Sequence, residues 1–209
     1  MSITVLARTA AVSIAALGAS LLAPGAAQAA VPTGVTEVTW NVRTSWINYL
    51  TNPAWFLGFG QGSVTTTASN GATSAPTPGS ATTTWASGFT NYAYSYDFGV
   101  AGDAGSPRTT TLQGGLDFDL SAHSIDVSLT NLRIVDNPSG PESLRVDGSY
   151  DPLSGAAVPL AGVDAFTIAE TATGGTHAVT LTAAGAAIFN GGSNGSYAAG
   201  DPFGSVAFS

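Results

Sequence analysis

Few side chains in this chain could do chemistry. There are two histidines, His123 and His177, and no cysteine. A zinc site built from several imidazoles or thiolates is therefore excluded, and a Ser-His-Asp triad would rest on one histidine with nothing in the spacing to choose its partners. Asp117 and Asp119 stand two residues apart in an alternating stretch, which on a strand puts two carboxylates on one face about 6–7 Å apart. That pair invites comparison with a glycosidase, but with polar neighbours it reads as a solvated face. The Gly-x-Ser-x-Gly elbow, His-Glu-x-x-His, a phosphate-binding glycine loop and EF-hand spacing are all missing. Tyr49 follows Trp46 by three residues, and spacing alone makes it a core tyrosine of a short amphipathic helix. The inventory favours binding a ligand over turning one over, and no enzymatic activity is expected.

The elements that would hold these residues are read from periodicity. Trp46, Tyr49 and Leu50 fall at i, i+3 and i+4, Thr44 or Ser45 can cap the helix, and Pro53 prevents its continuation. A second short helix is predicted over Ala183–Phe189, with Thr182 as N-cap and Asn190-Gly191-Gly192 as its stop. Strand alternation is plain at Tyr92, Tyr94, Tyr96 and Phe98, again at Leu112, Gly114, Leu116, Phe118 and Leu120, and again at His123, Ile125, Val127 and Leu129. Parity slips between Asn131 and Ile134, as a β-bulge would produce. Further strands are predicted at Thr36–Val42, Leu144–Val146, Val163–Ile168 and His177–Leu181. The Thr-, Ser-, Gly- and Pro-rich stretch Ser63–Thr84 reads as a surface loop or a solvated edge strand. Short strands separated by turn signals predict a mainly β, antiparallel sandwich or barrel carrying one or two short helices.

At the scale of the chain, Arg8, an apolar run from Ala10 to Leu22, Pro24-Gly25 and Ala27-Gln28-Ala29 have the order of a secretory signal peptide. The run is too short for a membrane span. Cleavage before Ala30 is expected, giving a 1–29 leader and one domain over 30–209. All five basic residues are arginine, against thirteen carboxylates, for a net charge of −8. Nucleic acid and anionic membrane surfaces are therefore not expected partners. No membrane span or Leu-Pro-x-Thr-Gly sorting signal follows, so the protein is expected outside the cell membrane, secreted or associated with the envelope.

The segment Trp40-Asn41-Val42-Arg43-Thr44-Ser45-Trp46-Ile47-Asn48-Tyr49-Leu50 resembles the opening of the HtaA-type haem-binding domain, a module of secreted and cell-wall proteins that collect haem in Gram-positive bacteria. Gly114 through Ile134 is similar to that family's strand, histidine-containing turn and second strand. Leu181 to Phe189, then Tyr197-Ala198-Ala199-Gly200-Asp201-Pro202 and Val206-Ala207-Phe208, resembles its C-terminal end. The resemblance implies an antiparallel β-sandwich with short helices that holds ferric haem non-covalently, with Tyr49 as axial iron ligand and a histidine hydrogen-bonded to it. Counted forward from Phe118, the family's histidine position falls on Ser121, so His123 is displaced by two residues. Either the turn is rebuilt to let His123 reach the ligand, or that hydrogen bond is lost and His123 is a structural histidine. Tyr197 follows an insertion at Ser193–Ser196 and borders the porphyrin or plugs the end of the fold. Arg43 and Ser45 are the nearest donors for haem propionates. Haem donor or acceptor proteins at the envelope are the partners such a module implies. The competing reading is an extracellular interaction module that binds glycan or protein through Trp55, Phe56, Phe59 and Trp85. A purely structural envelope protein is a third.

Overall fold

The computed structural model describes residues 30–51, 63–66, 77–84, 90–120, 123–152, 155–191 and 195–209, with backbone alone at 51, 63–66, 77–84 and 90–94. Residues 1–29, expected as a leader, and the aromatic residues Trp55, Phe56, Phe59 and Trp85 lie outside the described residues, as do the side chains of Tyr92 and Tyr94.

Period-two sequence becomes strand with one face inward. Strand β1 (Glu37–Val42) buries Val38, Trp40 and Val42. Strands β2 (Ser63–Thr66) and β3 (Thr77–Thr84) come from the polar stretch read as loop or edge strand. The long β4 (Thr90–Ala104) buries Tyr96 and Phe98, and β5 (Thr109–Leu112) and β6 (Leu116–Leu120) follow. In β7 (Ile125–Val135) the buried positions run Ile125, Val127, Leu129 and then Leu132, Ile134. The expected bulge accounts for that change of parity. Asn131 has φ +48°, and the register against the next strand shifts between Thr130 and Arg133. Strands β8 (Glu142–Tyr150), β9 (Val158–Ile168), β10 (His177–Leu181) and β11 (Pro202–Phe208) complete the sheet.

The sandwich expected from sequence is corrected to a closed antiparallel barrel. Eight strands form a ring in the order β7-β5-β4-β1-β11-β10-β9-β8, and β8 pairs back onto β7. The first strand closes it: Trp40 stands opposite Tyr96 of β4 on one edge and opposite Val206 of β11 on the other. Filling both edges of β1 leaves no open edge in the ring, which a sandwich would have to protect by other means. β2 pairs with β6, and β6 with the N-terminal half of β7, while β3 pairs with β4; these strands extend the sheet beyond the ring. At one corner Gly148, φ +127°, faces Leu129, and a Cβ there would lie 2.0 Å from the Ser128 carbonyl oxygen. Only glycine permits that approach of β8 to β7.

Helix α1 (Thr44–Thr51) leaves the end of β1 and α2 (Ala183–Gly191) leaves the end of β10, so both cover the same end of the barrel. Gly185 lets α2 lie flush on β9, since a Cβ on it would meet the Ala165 carbonyl oxygen at 1.9 Å. At the opposite end, the Ser209 carbonyl accepts from the amides of Thr36 and Glu37, and the dipeptide Ala30-Val31 is buried against the mouth of the barrel. Between the two ends the core is aromatic, with Trp40 edge-on to Phe166 at 5.1 Å and Phe189 against Phe203 at 4.4 Å.

Candidate functional site

Helix α1 begins at the carbonyl of Arg43, which accepts from the amides of Trp46 and Ile47. At its first turn the backbone carbonyl of Arg43, rather than the expected Thr44 or Ser45 side chain, is the acceptor. Ser45 Oγ instead accepts from Arg43 Nε at 2.8 Å, and Asn48 Nδ2 donates to the Thr44 carbonyl. One turn of helix then sets Trp46, Ile47 and Leu50 inward and leaves Tyr49 half-buried at the rim. The Tyr49 ring stacks on Trp46, 6.2 Å between centroids and 11° between planes, so its position is fixed by a buried indole.

Tyr49 meets His123 across the end of the barrel. The phenolic oxygen lies 2.6 Å from His123 Nδ1, with the imidazole edge-on to the phenol ring. His123 sits in a single tight turn immediately before β7, and the next residue, Ser124, has φ +53°. That left-handed residue bends the chain and lets a histidine displaced by two positions still face α1. From this position His123 reaches the Tyr49 hydroxyl. His177 does something else: its Nδ1 contacts the Ala169 carbonyl at 2.8 Å, and its ring packs on Phe208.

Tyr197 joins the same cluster from the segment between α2 and β11. Its ring is edge-on to Trp46 at 6.2 Å, and the Arg43 guanidinium lies over it at 5.3 Å. Asn190 at the end of α2 fastens this segment with two bonds: its Oδ1 accepts from Tyr197 N at 2.7 Å and its Nδ2 donates to the Tyr197 carbonyl at 2.8 Å. Reading Asn190 only as a helix stop missed this; the signal was an amide side chain placed just before an insertion. Arg43 Nη1 donates to the Pro202 carbonyl at 3.3 Å. The other described arginines each pair with carboxylates: Arg108 with Asp103 and Asp136, Arg133 with Asp147, and Arg145 with Asp164. Among the described residues Arg43 alone has no carboxylate partner. All five sequence candidates, Tyr49, His123, Tyr197, Arg43 and Ser45, thus lie at the helix-covered end.

The electrostatics at this end suit a ligand that takes up a proton's place. Burial pushes the Tyr49 hydroxyl above its ordinary range. Burial also pushes up Tyr197, with Arg43 opposing and Tyr49 and Asp201 adding to the rise. Tyr49 is therefore a neutral phenol at neutral pH, hydrogen-bonded to His123 Nδ1. A hard oxygen donor with an imidazole nitrogen at 2.6 Å, an aromatic support and an arginine without a carboxylate partner among the described residues is a set that fits an iron porphyrin with its anionic propionates. The Asp117–Asp119 pair does not belong to this cluster. Asp119 is exposed and stands opposite Asp126 on β7, whose carboxyl is raised by burial and by Asp151, Asp119 and Asp117.

Residues 36–209 match the family model described as Htaa. A crystal structure of the C-terminal domain of HtaA from Corynebacterium glutamicum has the same fold, with a TM-score of 0.57 at 16% identity, covering 83% of this chain and 95% of that one. No curated protein matches the sequence significantly.

Proposed function

Because the chain belongs to the HtaA family, we propose that it is a haem-binding protein that captures ferric haem through Tyr49 outside the cell membrane and passes it to an acceptor. The observation that carries this reading is the 2.6 Å contact between the Tyr49 hydroxyl and His123 Nδ1. While the phenol is neutral its O–H donates to Nδ1. When the proton is given up it rests on Nδ1, which then donates back to the phenolate. His123 thereby offsets the cost of forming an anion on a residue whose ionisation burial opposes. Tyr49 would hold the iron of a bound haem, whose Lewis acidity would be matched by a phenolate, an anionic oxygen donor that favours Fe(III) over Fe(II). Tyr197 borders the site on the side of Arg43, and Arg43 with Ser45 offers donors for propionates. Retention in one oxidation state without oxygen chemistry suits capture and hand-over.

Titrating purified protein with ferric haem tests the reading. A saturable Soret band with tyrosinate-to-iron charge-transfer features is expected, and it should be lost in Tyr49→Phe, which keeps the ring and removes the oxygen. A Tyr49→Phe protein with unchanged spectrum and dissociation rate places the ligand elsewhere. Absence of any haem binding by the unsubstituted protein would return the interaction-module reading.

A further inference from the structure

The end of the barrel away from the helices holds an arrangement that the haem reading does not use. Ala30 and Val31 are 4% and 2% exposed. The Ala30 amide nitrogen donates to Glu142 Oε1 at 2.5 Å, and the Val31 carbonyl accepts from Arg108 Nη2. Glu142, the first residue of β8, is 1% exposed, and among the described residues its second oxygen, Oε2, has no hydrogen-bond partner. Neutral backbone amides are a poor match for a buried carboxylate, which calls for a counter-charge and donors to both oxygens. The surroundings make matters worse. Burial raises the Glu142 carboxyl, the amides of Ala30 and of Glu142 itself oppose this, and Asp136 and Glu170 push it further up. The cation at hand, Arg108, is engaged with Asp136, Asp103 and the Val31 carbonyl.

We infer that Glu142 is the receptor for the α-ammonium group of Ala30, set free when the Ala29–Ala30 peptide bond is hydrolysed during export. Water gives its hydroxyl to the Ala29 carbonyl carbon and a proton to the Ala30 nitrogen, which takes a second proton from solvent and becomes an ammonium. The cut precedes folding, while this bond is still accessible to a peptidase of the export pathway. The nitrogen now lying against Glu142 with one N–H would then carry three and a positive charge, enough to satisfy Oε2 and neutralise the carboxylate. The register is strict. A cut one residue to either side moves the amine by about 3.8 Å, beyond hydrogen-bond reach of the carboxylate. The site of processing is thus recorded twice, in the small residues Ala27 and Ala29 and in a buried acid 112 positions downstream of the new terminus.

The chain contains no lysine, so in the exported protein the α-amine is the one primary amine, and acylation reads it directly. The full-length chain is secreted, its N-terminus is identified by mass spectrometry, and the native protein is treated with an N-hydroxysuccinimide acetate at pH 8. An Ala30 terminus that acetylates at least about tenfold more slowly than in Glu142→Gln is expected, since each unit by which the ammonium's pKa is raised removes tenfold of the reactive free amine. Inserting a glycine between Ala29 and Ala30 leaves Glu142 in place but carries the amine past it, and should both speed acetylation and lower Tm. That insertion decides the matter if Glu142→Gln does not fold. Equal acetylation rates in the native and inserted proteins, or a terminus other than Ala30, would overturn the inference.

Discussion

The Tyr49–His123 pair makes separable predictions about its two members. If the phenolate is the iron ligand, Tyr49→Phe removes the ligand, whereas His123→Ala removes only the group that holds the proton, and losses of that second kind run to about 10–100-fold in affinity. Haem transfer to apomyoglobin should therefore be faster for Tyr49→Phe than for His123→Ala, measured by stopped flow. The reverse order would make His123 the ligand. A pH dependence follows from burial. A phenol raised in the folded state contributes stability that is present below the ordinary tyrosine pKa of 10.0 and is lost as pH rises through the folded value. The haem-free protein should lose Tm above pH 10, and Tyr49→Phe should lose less of it, with ionisation followed by tyrosinate absorbance. At this scale the sequence was only half legible. Tyr49's inward lean could be read from helical spacing, and His123 could be named as its candidate partner, but whether His123 reaches it could not be read, because that depends on the positive φ of Ser124 and not on a count of residues from Phe118.

Elements were more legible than contacts, and the exceptions have local causes. The strand His177–Leu181 has the bounds read from its alternation, and the bulge in β7 was visible as a slip in parity. By contrast β11 was read only as part of a familial ending, since Gly204 interrupts its apolar alternation. Helix α2 carries a prediction where two effects compete. Gly185→Ala should gain up to about 1 kcal/mol of helix propensity, but its Cβ would meet the Ala165 carbonyl oxygen at 1.9 Å. Backbone cannot yield as a side-chain tip can, so overpacking of about 1–3 kcal/mol wins and urea unfolding should show a net loss. Thr182 caps this helix through Gly185 N at 3.0 Å while donating to the Asp164 carbonyl. Thr182→Ala should cost about 1 kcal/mol by the same measurement.

Closure of the whole sheet was beyond reading, because it depends on which distant strands β1 chooses, and its own six residues do not name β4 and β11 as neighbours. A closed ring predicts an uneven distribution of local stability. Amides of β7, β8 and β9, paired on both edges, should exchange with solvent on the order of 100-fold more slowly than those of β2 and β3, which each pair with a single strand. Similar protection in β3 and β8 by hydrogen-exchange mass spectrometry would contradict the ring as the cooperative unit. The ring also fixes an orientation. Ser209 and Ala30 both sit at the end remote from Tyr49, held by the start of β1 and by Glu142 respectively. Anything joined to the chain at Ser209 is attached at the end remote from Tyr49, so if haem binds at Tyr49 a protein immobilised on a sensor surface through Ser209 should load it at the rate shown in free solution.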